Sequence, residues 1–136
     1  IDKPENADTI SIMHRAISGN VNENFDLTFD FRDGLDWSFS TSINENGSIR
    51  GITINEIVNE NNLDYITLLK IDIEGAERFI FDDNVDLSFL SITKVIAIEI
   101  HDEFQIREKI YSILKKNNFH LFESGELTIG INTKLL

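Results

Sequence analysis

Two apolar runs in the sequence end in ionisable side chains, and those side chains are where chemistry would be done. Leu68-Leu69-Lys70-Ile71-Asp72-Ile73-Glu74-Gly75-Ala76-Glu77 passes from aliphatic residues straight into carboxylates and a glycine. Val95-Ile96-Ala97-Ile98-Glu99-Ile100-His101 ends alike, in an acid and a histidine. Carboxylates such as Asp72 and Glu74 can position a substrate, take a proton or coordinate a metal ion, and His101 can act as a general base. Glu99 lies in so apolar a strand that it needs a partner. The competing reading of Asp72 and Glu74 is structural, since either can cap the helix that follows, whose dipole favours negative charge at its start. Gly75 allows a tight strand-to-helix turn. Lys70 is an ion-pair partner for one of the acids, and Asp102 and Glu103 are helix-start acids. His14 reads as packing or surface, and Trp37 as a core or hairpin contact that could also stack on a ligand.

Placing these groups together takes strands that end at one edge of a sheet, where α/β proteins bind ligands. The apolar patterns predict buried strands over residues 65–73 and 95–100, a helix over 76–81 between them, a turn over 87–90 and a helix over 104–117. On that last helix Phe104, Ile106, Ile110, Ile113 and Leu114 share one face. Residues 119–123 and 127–132 read as an antiparallel strand pair joined at Ser124-Gly125. Upstream, residues 10–17 have strand character, and residues 25–31 alternate with period two. Asp33-Gly34 is turn chemistry, residues 37–43 are extended, and Asn46-Gly47 closes a loop. Thr53 caps a helix over residues 54–60 with Glu56 as its capping-box partner. Apolar strands alternating with helices argue for one α/β domain over residues 1–136, with a mostly parallel sheet closed by a terminal antiparallel strand pair.

The bulk numbers exclude more than they identify. With 136 residues and 41% hydrophobic content, the chain can bury a real core. It holds no cysteine, which removes disulfides and thiol nucleophiles, and only three histidines. The net charge of −12 argues against nucleic acid or an anionic membrane as a partner. No apolar stretch is long enough to span a bilayer, and no signal-peptide pattern opens the chain. A cytoplasmic location is expected. The chain opens on Ile1 rather than Met, as a piece of something longer would.

Lys70-Ile-Asp72-Ile-Glu74-Gly75-Ala76-Glu77 resembles the Lys-x-Asp-x-Glu-Gly-x-Glu signature of FkbM-like methyltransferases. Ile98-Glu99-Ile100-His101 is similar to their Glu-x-His strand end, Arg15-Ala16-Ile17 to their Ala-Ile strand end, and the segment from Gly51 to Ile57 to the element ahead of the signature. The resemblance implies a Rossmann-like methyltransferase sheet and S-adenosylmethionine as cofactor, with a divalent metal as an open addition. It implies O-methylation of a small-molecule or glycan hydroxyl. Asp72, Glu74, Glu99 and His101 would then be the catalytic groups, and Arg15, Ala16 and Ile17 would lie near the adenine. No metal-ligand set is implied. No Gly-x-Gly occurs anywhere in the chain, so the loop that holds the methionine end of the cofactor is missing. The expectation is therefore the C-terminal part of such an enzyme, lacking its N-terminal strands and open to homo-oligomer formation through exposed sheet edges. Two other readings compete. Asp72-Ile73-Glu74-Gly75 imitates the nucleophile motif of haloacid-dehalogenase-type phosphatases, with Ala76 where that motif has Thr, and the domain could also be a non-catalytic α/β association module.

Overall fold

The computed structural model describes residues 10–28 and 40–136. They form two four-stranded sheets. The first is built from β1 (Ala16–Ile17), β2 (Asn24–Thr28), β3 (Ser40–Ile43) and β4 (Ile49–Ile52), in the order β1-β4-β2-β3. Helix α1 (Ile54–Glu60) follows. The second sheet contains β5 (Ile66–Ile71), β6 (Thr93–Glu99), β7 (Phe119–Ser124) and β8 (Leu127–Asn132), in the order β5-β6-β8-β7. Helix α2 (Glu77–Ile80) and a 3-10 turn (Ser88–Ile92) lie between β5 and β6. A second 3-10 turn (Asp102–Phe104) and helix α3 (Arg107–Lys116) lie between β6 and β7.

This corrects the expected fold class. Only β1 with β4 and β5 with β6 pair in parallel, whereas β2–β3, β2–β4, β6–β8 and β7–β8 are antiparallel. Two mixed, mainly antiparallel sheets with few helices replace the single, mostly parallel Rossmann-like sheet. The physical reason lies in the connections. Parallel neighbours need a long crossover, and of the links between successive strands only the one from β5 to β6, through α2, joins parallel neighbours. The tight turn at Gly125, at φ +61°, sends β8 back along β7, and β8 then docks antiparallel on β6.

Several local readings hold. Thr53 accepts a hydrogen bond from the Glu56 amide while Glu56 accepts from the Thr53 backbone, so α1 starts on a complete capping box. The hairpin of β7 and β8 forms as the alternation indicates. Other elements are shorter than the pattern suggests. β1 keeps only Ala16 and Ile17 of its expected run. Helix α3 starts at Arg107, and Phe104 belongs to the preceding 3-10 turn. The turn at Asp33-Gly34 and the side chain of Trp37 lie outside the described residues.

The core gathers on one side of the second sheet. Ile71, Ile96, Ile98 and Phe119 from the strands meet Ile80 and Phe81 around α2, Phe89 and Leu90 from the 3-10 turn, and Ile110 and Leu114 from α3. Along β8 the inward residues are Thr128, Gly130 and Asn132. A Cβ at Gly130 would stand 2.8 Å from Ile96 Cγ2, so glycine is what lets the layers close there. Asn132 donates to the carbonyls of Leu90 and Thr93 at 3.2 and 3.1 Å, joining the hairpin to the 3-10 turn. The two sheets meet through Phe79 of α2, whose ring centroid lies 5.8 Å from that of buried Phe25. Leu114 is fully buried. Leu114→Ala is expected to cost about 2–5 kcal/mol in urea unfolding, a cavity-sized penalty. A loss under about 1 kcal/mol would show that α3 does not seal the core.

Candidate functional site

Chain direction builds the site. β5 and β6 run parallel in the register Ile71 to Ile98, so the residues just past both strands emerge at one edge. Beyond β5, two successive residues take left-handed backbone, Glu74 at φ 50° and Gly75 at φ 89°. Glycine adopts this region without cost, whereas Glu74 occupies it under strain, a condition that gathers at functional sites. A Cβ at Gly75 would lie 2.1 Å from Phe104 Cε2, so the Phe104 ring rests on the bare backbone. Arg78 clamps the turn from above. Its guanidinium lies 4.1 Å from the Phe104 ring centroid, and it donates to the Gly75 carbonyl at 2.7 Å.

That turn drives Glu77 inward. Glu77 is fully buried, and its Oε1 is 3.1 Å from Nδ1 of His101, itself only 4% exposed. The opposite ring nitrogen, Nε2, lies 3.4 Å from Glu74 Oε2 and 4.0 Å from Glu99 Oε1. Among the described residues Nε2 makes no hydrogen bond. Asp72, beside Glu99, is held by Lys70 at 2.6 Å. The structure thus brings Asp72, Glu74, Glu99 and His101 to one edge, and His101 is the buried member.

The charges there do not balance. The hydrogen bond from Lys70 holds the Asp72 carboxyl below its usual range. Glu99 moves the other way: burial raises it, repulsion from Asp72, Glu126 and Glu74 adds to the rise, and His101 opposes it. An open recess is lined by Glu99, Ile100, His101, Asp102, Glu103, Arg107 and Glu126. Arg107 is already engaged, with Nε and Nη2 on Asp102 at 2.7 and 2.9 Å, and this pairing lowers Asp102 and raises Arg107.

Arg15, Ala16 and Ile17 do not join this cluster. Ala16 and Ile17 form β1, and Arg15 lines a separate cleft with Arg50, Glu56 and Glu60. Ile17 faces an apolar groove shared with Ile54, Leu69, Ile71 and Ile73, which lies between β1 and β5. Glu77 is the functional candidate that reasoning on strand ends passes over. The signal for it was present, because it is the last acid of the signature and the following residues are Arg78, Phe79 and Ile80.

The profile of the FkbM methyltransferase domain matches residues 6–121, which take in the first sheet, β5, β6 and the strand-end residues from Asp72 to His101, and stop within β7. The chain belongs to the FkbM methyltransferase family. No curated protein and no solved structure gives a significant match. Within this FkbM domain the signature residues Asp72, Glu74 and Glu77 and the Glu-x-His end of β6 surround one buried imidazole. Family membership displaces the phosphatase reading of Asp72. Among the described residues no group of three or more His, Asp or Glu side chains is placed to hold a metal ion, and no helix is long and apolar enough to cross a membrane.

The cofactor that the family implies fits these residues poorly at its methionine end. Glycine-lined backbone is needed there, and the two glycines at positive φ among the described residues are used otherwise. Gly75 is covered by Phe104, and Gly125 turns the β7–β8 hairpin.

Two measurements check the site. Glu77→Ala strands a buried imidazole nitrogen and is expected to cost about 1–3 kcal/mol in urea unfolding, with Glu77→Gln losing less because it keeps an acceptor. Equal stability of both variants with the parent would show that the pair does not hold the ring. Glu99→Gln is expected to raise the melting temperature at pH 7 by about 1–3 °C. A carboxyl raised in the folded state destabilises while charged. The gain therefore shrinks as pH falls through the raised value of Glu99 and is gone below the ordinary carboxylate range. A lower melting temperature at pH 7 would overturn that assignment.

Proposed function

We propose that the chain supplies the acceptor side of an S-adenosylmethionine-dependent O-methyl transfer to a sugar or natural-product hydroxyl, in a cytoplasmic setting. One observation carries the reading: a buried His101 with Glu77 on Nδ1 and nothing hydrogen-bonded to Nε2. A carboxylate can only accept, so in this reading Glu77 accepts from the hydrogen on Nδ1 and the Nε2 lone pair lies toward Glu74 Oε2, at 3.4 Å, and Glu99 Oε1, at 4.0 Å. The hydroxyl that receives a methyl must lose its proton as the methyl arrives, and in this reading Nε2 takes it. Asp72 and Glu74 orient the acceptor, Asp72 as a carboxylate fixed by Lys70. Glu77 is a positioning residue, acting through the ring rather than on the substrate.

Arg15, Ala16 and Ile17 form the adenine side in this reading. The methionine end of the donor is held by backbone other than the described residues, which provide no glycine cradle. Calorimetric titration of S-adenosylhomocysteine into the chain, and into a version extended upstream, tests this division. Binding by the extended version alone supports it. Tight binding by the chain itself would overturn the division, and no binding by either would overturn the methyl-transfer reading. In whichever form binds, His101→Ala is expected to lower kcat by about 10²–10⁴-fold with little change in KM. Unchanged turnover would remove His101 from the role of base.

A further inference from the structure

β5 is an edge strand: β6 lies on one side of it, and no strand among the described residues lies on the other. Natural edges are usually blunted by charge, proline or a bulge, because an open ladder invites another strand. β5 runs Ile66-Thr67-Leu68-Leu69-Lys70-Ile71 with one charge and no proline. Leu68, and Tyr65 just ahead of the strand, are 59% and 54% exposed. An apolar groove runs alongside, lined by Ile17, Ile57, Val58, Leu63 and Leu69 among others. An open ladder beside exposed apolar side chains is what an added strand covers.

Charge placement selects the strand. Asp64-Tyr65-Ile66-Thr67-Leu68-Leu69-Lys70 complements itself when read in reverse about Thr67. A second copy laid antiparallel in that register sets Asp64 opposite the partner's Lys70, Tyr65 opposite the partner's Leu69 and Ile66 opposite the partner's Leu68. A two-fold axis at Thr67 repeats each of these pairings. With the axis normal to the sheet, opposed positions an even number of residues apart share one face. Sliding the register breaks the match. Centred on Leu68, Asp64 meets the partner's Asp72, and centred on Ile66 it meets the partner's Leu68. Opposite charges across strands stabilise and like charges destabilise, so Asp64 and Lys70 favour one register. Asp64 makes no ion pair among the described residues, whereas Lys70 holds Asp72 at 2.6 Å in a half-exposed pair that the partner's Asp64 would share. β7, at the other edge of the sheet, has no lysine or arginine from Phe119 to Ser124 and cannot pair charges in this way.

We propose that β5 is a homodimer interface, in which two copies pair antiparallel about Thr67 and join their four-stranded sheets into one. In this register Ile71 falls opposite the partner's Leu63, so the ladder stops short of Asp72. The two copies of β5 run in opposite directions, which puts the two candidate sites at opposite edges of the joined sheet, each made by its own chain. Dimerisation is thus separate from the methyl-transfer reading.

Sedimentation velocity over a concentration series tests it, on the chain and on a version extended upstream, and a dimer is expected from both. Asp64→Lys and Lys70→Asp each set like charges opposite one another at both ends of the ladder. Each is expected to raise the dimer Kd by about tenfold or more. Mixing the two variants restores opposite charges at both positions, so two chains that associate weakly alone should form a heterodimer of near-parental affinity. Rescue by mixing separates loss of the interface from loss of the fold. A parent chain that is monomeric at every concentration would overturn the proposal. So would a dimer indifferent to both substitutions, or a mixture no tighter than its components. An extended version that stays monomeric while the chain dimerises would assign the edge to an upstream strand, which also overturns it.

Discussion

The contact between Glu77 and His101 is the constraint around which the functional edge is arranged. Neither side chain belongs in an apolar interior alone, because a buried polar group without a partner costs free energy that apolar neighbours cannot return. The Oε1–Nδ1 contact joins the first turn of α2 to the end of β6, while Glu77 Oε2 and His101 Nε2 make no hydrogen bond among the described residues. The left-handed pair at Glu74 and Gly75 serves the same contact. Without that reversal the chain leaving β5 would carry Glu77 away from the ring rather than under it. Phe104 and Arg78 close over the turn, so a strained backbone segment is held by packing on one side and by a hydrogen bond to its carbonyl on the other.

Charge has an uneven geography here. Lys109 is paired with Asp82 and Asp83, and Lys70 and Arg107 are each engaged by a neighbouring acid. Glu99 and Glu126 lie where strands end and the chain turns, close enough for Glu126 to help raise the Glu99 carboxyl. A net charge of −12 read from composition suggests only solubility.

Much of the edge was legible in the sequence, and the overall fold was not. The apolar runs ending at Asp72 and at His101 pair in parallel, although only one face of β5 is covered and Leu68 on the other stays exposed. Thr53 and Glu56 announce α1, since a capping box is a local device that needs no tertiary contact. Fold class depends instead on long-range choices. Whether β8 lies parallel or antiparallel to β6 is decided by the turn at Gly125 and by the close approach of Gly130 to Ile96, neither of which shows in periodicity. Residues 10–15 have strand composition but pair with no strand among the described residues, where only Ala16 and Ile17, which meet Gly51 and Ile52, complete a ladder. Burial of Glu77 was hidden for a similar reason. An acid in the first turn of a helix ordinarily faces water, and only the partner on another strand shows why this one does not.

β5 and β6 differ in a way that follows from strand order alone. β6 is hydrogen-bonded on both sides, to β5 and to β8, whereas β5 has a ladder on one side only. Successive amides along a strand point to alternate sides, so half of those in β5 meet no strand among the described residues. In a lone copy of the chain the protons on that half trade with deuterium from solvent without any opening of the sheet, while those of β6 wait for β5 or β8 to part from it. Two strands that deliver neighbouring carboxylates to one edge are therefore sealed from water to very different degrees.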